Sequence, residues 1–114
     1  MAVNKQIENL LSATGLQFAY REFKPYKNKP VPKPPYIVYL IDNESGRGAD
    51  GKNLLMRKRV TIELYSNTKS ISHEAAVEAS ISTFEFEKYE EYISEEKMYC
   101  VSYEFDIYEK IRRN

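Results

Sequence analysis

The sequence predicts an α+β domain in which two helices pack on one face of a largely antiparallel sheet, with elements in the order α-β-β-β-α-β-β. Three observations carry this expectation. Two short segments place apolar residues at helical spacing, five others alternate with period two or run through β-branched and aromatic residues, and polar or proline-rich breaks separate them. At 114 residues, 42% of them hydrophobic, the chain is about one domain long and can bury one core. Residues 1–114 therefore read as a single α+β domain with no internal repeat.

Between Asn4 and Ala13, Ile7, Leu10 and Leu11 recur at one helical face, and Gly15 stands where such a helix would stop. Gln17 to Phe23 alternates loosely and predicts a first strand, ended by Lys24-Pro25. Residues 24–35 (KPYKNKPVPKPP) hold all five prolines and four lysines. Proline lacks the N–H that a helix interior or central strand needs, so this stretch is expected to be a flexible, exposed connection. Tyr36 to Ile41 (YIVYLI) is a continuous apolar run, as in a central strand. Residues 43–53 (NESGRGADGKN) contain three of the four glycines and predict a long flexible loop.

Met56 to Tyr65 alternates cleanly, with Met56, Lys58, Val60, Ile62 and Leu64 on one face of a third strand. After a polar break, Ser70 fits an N-cap, and Ile71 to Phe84 carries Ala75, Val77, Ile81 and Phe84 at near-helical spacing. Phe86 to Ile93 alternates around acidic residues, Ser94 to Lys97 makes a turn, and Met98 to Tyr108 sets Tyr99, Val101, Tyr103, Phe105 and Ile107 on one face. A terminal hairpin is the expected result.

Seventeen basic and seventeen acidic side chains cancel, so no bulk field favours nucleic acid or an anionic membrane. The balance hides an asymmetry: residues 1–60 hold eleven Lys and Arg against five Asp and Glu, and residues 61–114 hold six against twelve. Cys100 and His73 are each the only residue of their kind, which excludes an intramolecular disulfide and any multi-thiolate or multi-histidine metal site. His73 is expected to be exposed in the first turn of the second helix, and nothing resembling a nucleophile elbow accompanies it. Glu22-Phe23-Lys24 and Glu95-Glu96-Lys97 have the Glu-x-Lys spacing of a metal-dependent nuclease, but such hits arise by accident in a chain that is 30% charged. The expectation is no enzyme, no catalytic set, no cofactor and no metal site. The N-terminal residues lack the apolar core of a leader and no run reaches a membrane span's length, which predicts an unprocessed cytoplasmic protein. The lysines of residues 24–33, interleaved with Tyr26 and followed in sequence by Arg57, Lys58 and Arg59, leave nucleic-acid contact and the positive half of a protein interface both open.

The succession GLQFAYREF, PPYIVYLID, GADGKN, VTIELYSNTK, EAAVEASIS and YEEYISEEKMYCVSYEFDIYEK resembles the small tail-terminator or tail-completion (head-tail joining) proteins of long-tailed bacteriophages and their prophages. The resemblance spans nearly the whole chain and rests above all on PPYIVY, IELYSNTK and SYEFDI. It implies a structural virion assembly protein without enzyme activity. Its copies would form a homo-oligomeric ring, often a hexamer, that caps the tail-tube protein and meets the head connector or stopper. The resemblance places such a protein in the host bacterial cytoplasm during assembly and then in the virion tail or neck; no membrane partner is expected, and the zero net charge disfavours nucleic acid as one.

Ring closure needs one patch to meet a different patch on the next subunit. The basic first half and the acidic second half could supply these patches if they segregate in space, or could neutralise each other within one fold. The residues expected to order on assembly are Tyr26, Lys27 and Lys29 of the proline-rich segment and Arg47, Asp50 and Lys52 of the glycine-rich one, because both segments are long, polar and difficult to pack in a monomer. Two alternatives stay open: a small metal-dependent nuclease using Glu22, Lys24 and one of the acidic strand residues, and a monomeric protein- or nucleic-acid-binding module using the basic proline-rich segment.

Overall fold

Alternating apolar side chains give the sheet one oily face, and two helices cover it. The computed structural model describes residues 3–25, 30–48 and 53–112. Its elements are α1 (Val3–Ser12), β1 (Phe18–Tyr20), β2 (Tyr36–Gly48), β3 (Asn53–Ser66), α2 (Ile71–Ser80), β4 (Glu87–Ile93) and β5 (Met98–Arg112). The five strands lie in the order β1-β2-β3-β5-β4. Every pairing is antiparallel except that of β1 with β2. The fold is the α+β arrangement that the sequence predicts.

The core is one cluster. Ile37, Tyr39 and Ile41 of β2, Val60, Ile62 and Leu64 of β3, and Val101, Tyr103, Phe105 and Ile107 of β5 point to the same side, where they meet Val3, Ile7 and Leu11 of α1 and Val77 and Ile81 of α2. Two phenols fasten the helices to this face. Tyr39 Oη donates to Glu8 Oε2 of α1 at 2.6 Å, and Tyr103 Oη donates to Glu78 Oε2 of α2 at 2.8 Å. Ser70 caps α2 by accepting from the His73 backbone N–H at 3.4 Å. Glu74, almost wholly buried on α2, receives the ammonium groups of Lys69 and of Lys88 on β4, the latter at 2.8 Å.

Several boundaries differ from expectation. The first strand is only three residues long and pairs in parallel with β2. It ends where Arg21 takes φ 69° and turns the chain away, with the guanidinium 3.4 Å from the Ile41 carbonyl. The second helix stops at Ser80, four residues early, because Phe84 leaves the helical path to stack on Phe105 at 4.8 Å between centroids. The largest correction concerns 43–53. Residues 43–48 are not loop but the second half of β2, paired with β3 from Asn43↔Arg59 to Gly48↔Leu54 across an irregularity between Ile41 and Asn43. Gly46 belongs there for steric reasons: a Cβ would come 3.1 Å from Met56 Sδ and 3.2 Å from Leu54 Cδ1, both lying across it. In the other expected connection, residues 24–25 and 30–35 form no helix or strand, and the Pro34–Pro35 peptide is cis.

These extensions produce an elongated molecule, 51 × 34 × 26 Å along its principal axes. Beyond Ile41, Val60 and Ile107 the core cluster stops while β2, β3 and β5 run on together as a three-stranded tongue. From Val60 to Leu54 this is about 20 Å at the usual rise of a strand.

Candidate functional site

Of the residues singled out in the sequence, Arg47 lies on the tongue, exposed on β2. Tyr26, Lys27, Lys29, Asp50 and Lys52 lie outside the described residues.

Pleating gives the tongue two different surfaces. On the side continuous with the core, Leu54, Met56 and Ile111 form an apolar strip, with Ile111 39% exposed. On the helix-free side, the register sets Arg47, Leu55 and Lys110 in one row across the three strands, and Ser45, Arg57 and Tyr108 in the next. These two rows frame a cleft of about 360 Å³ lined by Ser45, Gly46, Arg47, Leu55, Arg57 and Tyr108. Tyr108 is 60% exposed at the wall of this cleft.

Behind the cleft the helix-free face carries an ionic lattice. Arg57 Nη1 and Arg59 Nη1 each lie 3.2 Å from Asp106 Oδ1, and Arg59 Nη2 also reaches Glu87 at 2.6 Å and Glu104 at 3.4 Å. Arg57 further donates to Ser45 Oγ at 3.1 Å and to Asn43 Oδ1. On the opposite side Lys58 pairs with Glu44 at 3.7 Å and Glu109 at 3.4 Å. The basic run of β3 is thus neutralised by the acidic strands beside it. For these residues the asymmetry between the two halves of the sequence is cancelled within the fold and does not produce two opposed patches.

Further along the same face, Glu63, Tyr65, Cys100 and Ser102 surround one another. Tyr65 Oη donates to Glu63 Oε1 at 3.1 Å, and Cys100 Sγ lies 3.7 Å from Ser102 Oγ. Burial pushes the Glu63 carboxyl above the ordinary range, with the neighbouring charges of Glu91 and Asp42 adding to it. Burial likewise raises the Cys100 thiol, the opposite of what a reactive thiolate requires. His73 is half-buried, contrary to expectation, and its Nδ1 has no partner among the described residues. It stands on the helical side of the sheet whereas Cys100 occupies the other face, so the two cannot form a nucleophile and base pair.

The nuclease candidates are placed plainly. Glu22 and Lys24 pair with each other at 3.8 Å, both largely exposed. Among the described residues no group of three or more His, Cys, Asp or Glu side chains could hold a metal ion. Another cleft, of about 520 Å³, is walled by Phe84, Phe86, Glu104, Tyr108 and the ion-paired Arg59 and Asp106. No helix of the described residues is long and apolar enough to cross a membrane.

Of the groups on the tongue, Arg47 was legible in the glycine-rich stretch and Arg57 in the basic run of β3. Leu55, Tyr108 and Lys110 were missed, because what joins them is cross-strand register. The signal that could have found them was the alternation of β5 continuing past Tyr108 through Ile111. Against known proteins, no family model matches the chain and no curated protein matches it.

Proposed function

We propose that the chain is a structural assembly subunit of a phage or prophage tail, one that caps the tail tube as a ring and joins it to the head connector. The single observation that carries this reading is the tongue. Three strands project past the core with a half-exposed apolar strip on one side and a cleft walled by Tyr108 on the other, the kind of surface that associating subunits cover. The sheet also ends on β4, whose outer edge is unpaired among the described residues and whose side chains are almost all exposed. An open edge and an uncovered ribbon are the features through which β subunits associate. The resemblance in segment order supplies the phage context. This reading assigns the chain copies of itself, the tail-tube protein and the head connector as partners, and no catalytic step.

The test is to polymerise a phage tail-tube protein with and without the full chain and to measure tube length and end occupancy by electron microscopy. The reading expects shorter tubes with the chain at one end. Tubes of unchanged length with bare ends would overturn it.

A further inference from the structure

Several charges on the helix-free face have no ion-pair partner among the described residues, and two groups of them stand near its opposite ends. At the end of the tongue, Arg47 and Lys110 flank Leu55 in a single cross-strand row, and neither has a carboxylate partner among the described residues. At the other end, Glu91 of β4 stands across from Cys100 on the same face, close enough to Glu63 to raise that carboxyl further. Beside it on β4, Tyr89 is 50% exposed. Lys110 and Cys100 are ten residues apart along β5, about 33 Å at the rise of a strand. That separation is several times the screening length of about 8 Å at physiological salt, so the two ends do not neutralise each other within one copy.

We propose that the tongue cleft of one copy receives the β4 carboxylate Glu91 of a second copy, with Arg47 and Lys110 as its cationic rim and Tyr89 of the second copy packing toward Leu55 and Tyr108. This rests on the assembly reading above and names the surface through which it operates. The occupant is a second copy because this chain itself carries the matching group: an acidic, aromatic strand at a free sheet edge, complementary in charge to a cationic, apolar recess. Arg57 lines the recess but is already held by Asp106 and Ser45, so it shapes the site while Arg47 remains available. Because the recess and the strand are different patches, each copy can give one and receive one, which lets the contact propagate around a ring.

The experiment is charge reversal with rescue, read by native mass spectrometry of the full chain over a concentration series at low salt. Arg47→Glu and Glu91→Arg should each weaken self-association at least about tenfold. Mixing the two variants, or combining both changes in one chain, should restore it, since each reversed end then meets its complement. Circular dichroism checks that both exposed sites leave the fold intact. Oligomers that form equally well in both single variants would overturn this contact and leave the assembly reading standing. Loss of oligomers without rescue would also overturn it. A wild-type chain that stays monomeric at every concentration would overturn the contact and the ring together.

Discussion

Arg59 of β3 reaches Glu87 of β4 at 2.6 Å, passing over the whole of β5, which lies between their strands. The same guanidinium holds Asp106 and Glu104 of that intervening strand, so three strands converge on one side chain. An exposed ion pair is worth little, but a network around a partly covered guanidinium also fixes register. Arg59→Ala should therefore cost about 1–2 kcal/mol in urea unfolding. Arg59→Lys should recover only part of this, because an ammonium cannot reach all three carboxylates in the plane of a fork. An unchanged midpoint in Arg59→Ala would show that the network is ornamental.

Tyr39→Phe removes the hydroxyl that ties α1 to the sheet and should destabilise by about 1–2 kcal/mol. Burial, together with the bond to Glu8, pushes the Tyr39 hydroxyl up to about 12. A raised value on an acid means its contribution is complete below the unfolded value near 10 and disappears as pH rises through about 12. The wild type should lose stability across that window more steeply than Tyr39→Phe, which alkaline thermal melts would read.

Glu74→Gln should cost about 2 kcal/mol, since it leaves Lys69 and Lys88 without the carboxylate they share, although their own partial exposure limits the loss. Burial pushes the Glu74 carboxyl up, and the two ammonium groups outweigh it and hold it below its ordinary value. Its contribution is thus present above the usual glutamate range and is lost as pH falls through the lowered folded value. The deficit of the variant should shrink in acid melts. A deficit that persists unchanged at low pH would contradict the assignment.

Glu63 behaves in the opposite sense. Its carboxyl is raised by burial first, so its charged form works against folding at neutral pH, and stability is recovered as pH falls through the raised value. Glu63→Gln keeps an acceptor for Tyr65 and should be neutral or stabilising at pH 7 to 8, with the advantage vanishing in acid. A clear loss at neutral pH would mean that the carboxylate is being held by a cation.

Gly46→Val places a branched side chain where Met56 and Leu54 already lie, within 3.2 Å of a Cβ. The expected outcome is confined to the tongue. Amide exchange in residues 43–48 and 54–58 should accelerate while the cooperative melting temperature shifts by only a few degrees, because the core cluster ends before this region. Global unfolding would contradict the separation of tongue from core.

The alternation of Val60, Ile62 and Leu64 and of Val101 through Ile107 made the core face and the layer arrangement readable, since burial of one face imposes a period of two. Asn43 to Gly48 resisted reading for a physical reason. Asn, Ser and Gly are poor strand formers, and what holds them in β2 comes from elsewhere: Arg57 bonding Asn43 and Ser45, and Met56 and Leu54 lying over Gly46. Phe84 was drawn out of α2 by Phe105, twenty-one residues away, a contact that no local spacing contains. The charge asymmetry of the sequence was legible, but its cancellation by Arg57, Lys58 and Arg59 depended on β3 lying beside β5, a neighbour reached across α2 and β4. Within the site, Arg47 stood out as a cation in a glycine-rich stretch, whereas Leu55, Lys110 and Glu91 acquire meaning only from their rows.

The central claim is that this chain closes on copies of itself. Native mass spectrometry of the full chain, from micromolar to near-millimolar concentration at low and moderate salt, tests it most directly. The account predicts a closed oligomer of at least three copies with one stoichiometry, weakened as salt screens the contact between the tongue and β4. A monomer throughout the series would contradict it.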